Sequence, residues 1–353
     1  MVGPDTRPLI SVCIPAYNRA AVLPELLESI LVQDFSDYEV LLAEDGSPER
    51  ADIAAVIARY INRFSGRLRH TENACNLGYD GNLRNLIECA RGHYCLFMGN
   101  DDLLAPGALV SVARAVGGHP DVGVVLRTYA SFDTDPARPV QTFRYFDEEL
   151  FFPAGAPTIT TFFRRCVVIS GLVIHRDAAH ACATDRFDGT LLYQLYLVGR
   201  ILARKNGVSL PQVLALYRLG GIPDFGNSAS EQGLFVPRQQ TPESSIAFMQ
   251  GMLAIARDTE DSTGERVSCG IFRDLGNYSY PILAIQARQP LTRFLRYCLG
   301  LARLGFWRSA LFHAYMWSLL LLGPRRVDRL IVAIKKRLGR TPALGRVYHG
   351  KSV

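Results

Sequence analysis

The sequence predicts an α/β fold, a mostly parallel sheet with helices on both faces, followed by a C-terminal helical region. Three observations carry this. Short apolar runs alternate with segments of helical spacing through the first half of the chain. Each of those runs ends in a polar cluster, as strands do at the ligand-binding edge of an open α/β sheet. From about residue 243 onward the apolar spacing is helical.

Residues 9–15 read as a first buried strand stopped by Pro15, with Ala16-Tyr17-Asn18-Arg19 as the loop after it. Val22, Leu26, Leu27, Ile30 and Leu31 then repeat at helical spacing over 20–33. A second strand, 38–43, runs into Glu44-Asp45-Gly46-Ser47. Ile53, Val56, Ile57, Tyr60 and Ile61 mark a helix over 51–64, and a third helix is expected from about Asn82 to Ala90. The run Tyr94 to Met98 is a strand buried on both faces, and it ends in Gly99-Asn100-Asp101-Asp102. Further strands are expected at 122–126, at 167–176 around Gly171, and at 208–218. Residues 133–157, rich in Asp, Pro and aromatics, read as an excursion over the site. Residues 220–242 form a loop that is either a lid or a plain solvent loop.

Asp101-Asp102 is the chemical centre of this pattern. Two adjacent carboxylates at a strand end repel each other and call for a partner charge. A hard divalent cation, Mg²⁺ or Mn²⁺, bridging to phosphate oxygens meets that need. A solvated turn is the plain alternative, since Asn and Asp favour turns. The polar clusters at 17–19, 44–47 and 100–102 all follow strands, so they converge on one sheet edge. No G-x-G-x-x-G follows the first strand and no G-x-x-x-x-G-K-[ST] occurs, which argues against a dinucleotide fold and a P-loop.

The chain has 353 residues, 48% hydrophobic and 20% charged, which marks a globular protein with ample core. Its eight cysteines form no C-x-x-C pair and mostly sit in apolar runs, as packed reduced thiols do. The first apolar run, 9–14, is too short for a secretory leader. Charge is uneven: residues 288–353 hold 14 Lys/Arg against one acid, Asp328, a balance of +13 that leaves −7 for the rest. Such asymmetry points to an anionic partner for the tail.

Residues 11–19, Ser-Val-Cys-Ile-Pro-Ala-Tyr-Asn-Arg, resemble the opening of family 2 glycosyltransferases of GT-A fold. Glu44-Asp45-Gly46-Ser47 is similar to their Asp-Asp-Gly-Ser. Asn76-x-Gly78, Ala90-x-Gly92-x-Tyr94 and Asn100-Asp101-Asp102 complete the order over roughly the first 130 residues. The resemblance implies that Tyr17 and Asp45 hold the nucleoside base, Asp101 the ribose or diphosphate, and Asp102 the metal. It extends donor binding to Pro15, Asn18, Arg19, Glu44, Asn82 and Asn100. On the residues alone, Tyr17 also fits a packed turn aromatic and Asp45 a helix cap. Asn76 to Tyr79 with Asn82, Gln194-Leu195-Tyr196 and Asp224-Phe225-Gly226 are similar to the abequosyltransferase-like branch, which moves deoxyhexoses in O-antigen assembly.

One departure matters. The family has Glu-Asp shortly before an arginine near residue 200, and that Asp is the general base. Here Tyr193-Gln194 occupy the pair, and Gln194 cannot take a proton. Asp188 is the nearest substitute, with Asp185 and Asp224 behind it. Asp188 equally fits a helix cap. A route in which metal-assisted departure of the nucleotide needs no strong base also stands.

The expected organisation is a GT-A domain over 1–225, a loop and helical extension over 226–287, and basic amphipathic helices over 288–353. The uncharged stretch 309–324 is short of a spanning helix. Val327, Leu330, Ile331, Ile334 and Leu338 alternate with Arg329, Lys335, Lys336 and Arg337, as in a helix lying at a membrane interface. Packing onto the domain or between subunits is the competing reading. Nucleic acid is not the expected partner, because no binding motif accompanies the charge. Together these features predict transfer of a sugar from a nucleotide sugar to a saccharide acceptor, with a lipid-linked acceptor of O-antigen type expected. The place expected is the cytoplasmic face of a membrane bearing anionic lipid, and the sequence sets no oligomeric state. A non-catalytic nucleotide-sugar-binding or scaffold protein of the same fold is the alternative. A nucleotidyltransferase would need a glycine-rich basic loop after the first strand, and Pro15 to Arg19 is not one.

Overall fold

The computed structural model describes residues 6–337 apart from Ile222, with side chains described up to Ile334. In chain order the elements are β1 Ile10–Ala16, α1 Leu23–Leu31, β2 Tyr38–Glu44, α2 Arg50–Tyr60, β3 Leu68–Glu72, α3 Gly78–Cys89, β4 Tyr94–Phe97, β5 Leu103–Leu104, α4 Ala108–Gly118 and β6 Val122–Phe132. There follow β7 Gln141–Phe143, β8 Leu150–Phe152, α5 Ala156–Phe162, β9 Val173–His175, α6 Arg176–Ala181, α7 Tyr193–Leu202 and β10 Asn206–Arg218. The C-terminal helices are α8 Pro242–Thr263, α9 Ser268–Asn277, α10 Tyr280–Gln286, α11 Leu291–Arg303, α12 Ala310–Leu322 and α13 Pro324–Arg337.

The strands form one mixed sheet in the order β3-β2-β1-β4-β9-β6-β10-β5, with β7 added to β6 and β8 to β10. Strands β1, β2, β3 and β4 are parallel, as are β6 and β10. β9 runs antiparallel between β4 and β6, which keeps those two pointing the same way. Side chains alternate across the sheet because the strand period is two. Val12 and Ile14 enter the core under α1, α2 and α4, while Cys13 enters the opposite core. That second core is shared by α3, α7 and the C-terminal helices, down to Phe294, Leu301, Phe312 and Val327. α8 starts where the sequence says a helix should: Thr241 accepts from the Ser244 amide at 3.0 Å, Ser244 answers to the Thr241 amide, and Pro242 fills the first turn.

Several expectations need correction. The third helix begins at Gly78, so Asn82 lies inside it. The strand expected over 167–176 is only Val173–His175, because Gly171 turns the chain at φ +79°. Residues 133–157 do not cover the site; they carry β7 and β8, which extend the sheet. β3 escaped notice because its sequence, Leu-Arg-His-Thr-Glu, has almost no apolar signal. The division at 287/288 falls between α10 and α11, whose buried side chains belong to one core. Leu338 of the expected amphipathic stripe lies outside the described residues. All eight cysteines are free thiols.

Gly171 is fixed by backbone and space together. A Cβ there would come within 3.1 Å of the Arg127 Cγ and 3.2 Å of the Ala215 Cβ. Left-handed φ adds its own cost for any other residue, on the order of 1–3 kcal/mol. Gly171→Ala therefore lowers the urea-unfolding midpoint by a corresponding amount. A midpoint equal to the parent's would contradict this reading of the turn.

Candidate functional site

The C-terminal ends of β1, β2, β4 and β10 open into one pocket of about 340 Å³. After β1 the chain turns through two left-handed residues, Asn18 at φ 55° and Arg19 at φ 69°. Such conformations are uncommon outside glycine and cluster at functional sites. The turn swings the Arg19 guanidinium to 2.7 Å from the Asp101 carboxylate. Asn100 Nδ2 donates to the Asn18 carbonyl at 2.8 Å, tying the loops after β1 and β4 together.

Asp102 is the buried member of the carboxylate pair. Its Oδ1 accepts the Arg218 amide at 2.9 Å, and its Oδ2 accepts the Ser170 hydroxyl. Ser170 Oγ in turn accepts the Gly99 amide at 3.0 Å. Gly99 allows this approach, since a Cβ there would lie 3.2 Å from both Asp102 Oδ2 and Ser170 Oγ. Burial, and then the charge of Asp101, push the Asp102 carboxyl up to about 7, against the pull of its hydrogen bonds. Arg218 Nε also holds the Asp101 carbonyl at 2.9 Å.

Across the pocket, Asp45 Oδ1 accepts from Asn73 Nδ2 at 2.7 Å and from the Leu77 amide at 2.9 Å. Burial raises its pKa. Asn82 reaches from α3 to the Ala43 carbonyl at 3.0 Å and accepts from Asn73. The segment after β10 supplies the third wall. Glu231 accepts the amides of Tyr79 and Gly226, both at 2.8 Å, and Phe225 meets Tyr79 edge-on with ring centroids 5.6 Å apart. The loop is thereby fastened to the start of α3.

Pro15, Tyr17, Arg19, Asp45, Asn82, Asn100, Asp101 and Asp102 all line this pocket. Asn18 stands behind it, donating to Asp224 at 3.3 Å. Glu44 is not a lining residue: its buried carboxylate accepts the amides of Gly46 and Ser47 and pairs with Arg50, bracing the loop after β2. Asp188 lies outside the pocket in a two-pronged pair with Arg84, at 2.6 and 2.7 Å. Nor does it cap α7. The amides of Leu191 and Tyr193 there are taken by Asp80, whose carboxyl burial lifts to about 7. Gln194 is buried and donates to the Val167 carbonyl at 2.8 Å. Asp224 lines the pocket, while Asp185 is exposed. Sequence reasoning missed Ser170, Arg218, Tyr79 and Glu231. The Ser-Gly pair at 170–171 was a signal for Ser170 and the Asn76–Tyr79 motif one for Tyr79; Arg218 and Glu231 carried none, because each acts through a fold contact distant in sequence.

Residues 11–171 match the profile described as Glycosyl transferase family 2. An abequosyltransferase of Salmonella typhimurium is 30% identical over 171 residues, covering 46% of this chain and 50% of that protein. A GalNAc(5)-diNAcBac-PP-undecaprenol beta-1,3-glucosyltransferase of Campylobacter jejuni is 31% identical over 108 residues, covering 30% of this chain and 34% of that one. The chain spans half or less of the length of the curated relatives it matches. Among solved structures, S. aureus TarS 1-349 in complex with UDP-GlcNAc superposes with TM-score 0.58 at 14% identity, covering 98% of each chain.

Asp102 has a folded-state pKa near 7 against an ordinary 3.8. Its stabilising contribution is therefore full below about pH 4 and lost as pH rises to about 7. Relative to the parent, Asp102→Asn gains stability progressively from pH 4 to 7, then levels off. Melting curves across that range test this, and a pH-independent difference would contradict it.

Proposed function

We propose that the protein, whose residues 11–171 match the family 2 glycosyltransferase profile within a GT-A fold, transfers a sugar from a nucleoside-diphosphate sugar to an acceptor hydroxyl, with a lipid-linked saccharide as acceptor. The observation that carries this is the Asp101–Asp102 pair at the sheet edge, opposite Tyr17 and Asp45 in the same pocket. In this reading Tyr17 and Asp45 hold the nucleoside, and Arg19 and the Asp101–Asp102 edge take the diphosphate.

Mg²⁺ or Mn²⁺ fits these residues. Such ions are held by one or two carboxylates with substrate phosphates and water completing the shell. Asp101 and Asp102 stand adjacent and share one nearby cation, Arg19, which pairs directly with Asp101. Among the described residues no group of three or more His, Cys, Asp or Glu is arranged to hold a metal alone. Asp101 and Asp102 would hold the ion together with the donor. When bound, it supplies positive charge at the departing diphosphate.

The chain's own groups do the rest. Ser170 and the Arg218 amide fix Asp102 in one orientation. Phe225 and Glu231 close the third wall and exclude water from the donor. Of the three carboxylates considered as base, Asp224 is the one that lines the pocket, so the proposal puts it ahead of Asp188. With the preferred nucleotide sugar from a donor panel, Asp224→Asn lowers turnover by about 10²–10⁴, and Asp188→Asn lowers it far less. Binding of a donor without turnover in the parent chain would favour a non-catalytic role. The reverse ranking of the two variants would return the base to Asp188.

The acceptor class agrees with the C-terminal surface. Leu291, Leu295 and Leu299 form an exposed stripe on α11, and Trp307, Trp317 and Leu321 are exposed in the segments after it. Leu319, on the same helix as Trp317 and Leu321, is buried. Arg293 and Arg296 of α11 and Arg325 and Arg326 of α13 are exposed, and Asp328 is tied to Tyr280 and Arg288. We read this as a face lying on the cytoplasmic leaflet, where apolar contact and cation attraction to anionic lipid add. No helix among the described residues is long and apolar enough to cross a membrane. Phosphatidylglycerol vesicles should sediment the chain less well at high salt, and hardly at all when Trp307, Trp317 and Leu321 are serine. Equal sedimentation of parent and triple variant would sink the membrane reading.

A further inference from the structure

Arg127 is the largest fully buried side chain among the described residues. It projects from the middle of β6, and among the described residues no carboxylate pairs with it. An ionised guanidinium buried in this way is costly unless its donors are satisfied. Here three backbone carbonyls do so. Nε donates to Ser170 O at 3.1 Å, one terminal nitrogen to Arg165 O at 2.7 Å, and the other to Val168 O. All three acceptors lie on the irregular segment between α5 and β9, and Val168 and Ser170 line the pocket. The guanidinium thus sits one peptide layer behind the pocket wall.

Phe97 of β4 bonds Gly171 and Leu172 at its downstream end and Gln194 Nε2 donates to the Val167 carbonyl, while the stretch between Arg165 and Ser170 hands three of its carbonyls to the Arg127 fork. Its far end is the Ser170 hydroxyl on Asp102. Gly171 is pressed against the Arg127 stem, the 3.1 Å approach that bars a side chain there. A planar fork with fixed donor directions can hold three carbonyls in one arrangement, which a flexible ammonium cannot.

Resting on the donor reading above, we propose that Arg127 is a positioning residue of the donor site. It folds residues 165–170 onto a buried charge and so aims Ser170 at Asp102. It touches no substrate, and its effect on the diphosphate passes through Ser170.

The test is a double-mutant cycle on the full chain, read by calorimetric binding of UDP, GDP and CDP with Mn²⁺ and of the matching nucleosides. Whichever diphosphate binds the parent most tightly is carried forward. Arg127→Met and Ser170→Ala each weaken it, Arg127→Met by 10-fold or more, and leave the nucleoside within about threefold. The double variant is no weaker than Arg127→Met alone, because the two act in series. Arg127→Lys keeps the charge without the fork and behaves like Arg127→Met; it also serves if Arg127→Met does not fold. Multiplying effects in the double variant, or equal losses for nucleoside and diphosphate, would overturn the proposal. So would failure of both Arg127 variants to fold, which makes the residue a determinant of the fold alone. If no diphosphate binds the parent, the donor reading fails and this inference with it; binding that Arg127 variants leave intact removes this inference only.

Discussion

The structure depends on how it keeps two neighbouring carboxylates at the end of a buried strand. Asp101 and Asp102 repel each other, and burial removes the water that would screen them. The protein answers with an arginine on one and neutral donors on the other. Arg19 pairs with Asp101, while Asp102 receives one hydroxyl and one amide and feels the Arg19 charge only from beyond its neighbour. Burial and the Asp101 charge raise the Asp102 carboxyl to about 7, so a cation arriving there would displace its proton to solvent. Each of these donors comes from a different part of the chain. Arg19 follows β1, Ser170 precedes β9 and Arg218 ends β10.

The sheet order makes that convergence possible. Inserting the short antiparallel β9 between β4 and β6 brings the end of the 165–172 segment beside the end of β4. Ser170 then meets Gly99 and Asp102 directly. Parallel β10 lies on the other side of β6 and delivers the Arg218 amide. The loop beyond it folds back to the start of α3 through Glu231. Donor pocket and C-terminal helices are joined through the core that α3 and α7 share with α8 to α13. The basic helical face and the pocket therefore belong to one packed body.

What the sequence revealed follows from the range of the interactions involved. β1, β2, β4, β10 and the helices between them were legible, because strand and helix periods differ and the apolar residues here are strongly patterned. The polar clusters at strand ends gave six pocket residues, Tyr17, Arg19, Asp45, Asn100, Asp101 and Asp102. β3 was hidden by its polar composition, and β9 was overextended because the turn at Gly171 interrupts an apolar run. Glu44 looked like a ligand residue but braces its own loop, since a carboxylate two or three residues before free amides is well placed to cap them. Asp188 could not be separated from a base by spacing alone; its Arg84 partner lies 104 residues away. Arg127 gave no sign at all, as its meaning rests on three carbonyls some forty residues downstream.

The central claim is that the Asp101–Asp102 edge joins donor diphosphate to the protein through a divalent cation. Electron paramagnetic resonance of Mn²⁺ reads this directly, by titrating the ion into the chain with and without UDP, GDP and CDP. The account predicts weak Mn²⁺ binding alone, marked tightening with one of the diphosphates, and loss of that tightening in Asp102→Asn. Tightening of the same size in Asp102→Asn, or none with any diphosphate in the parent chain, would contradict it.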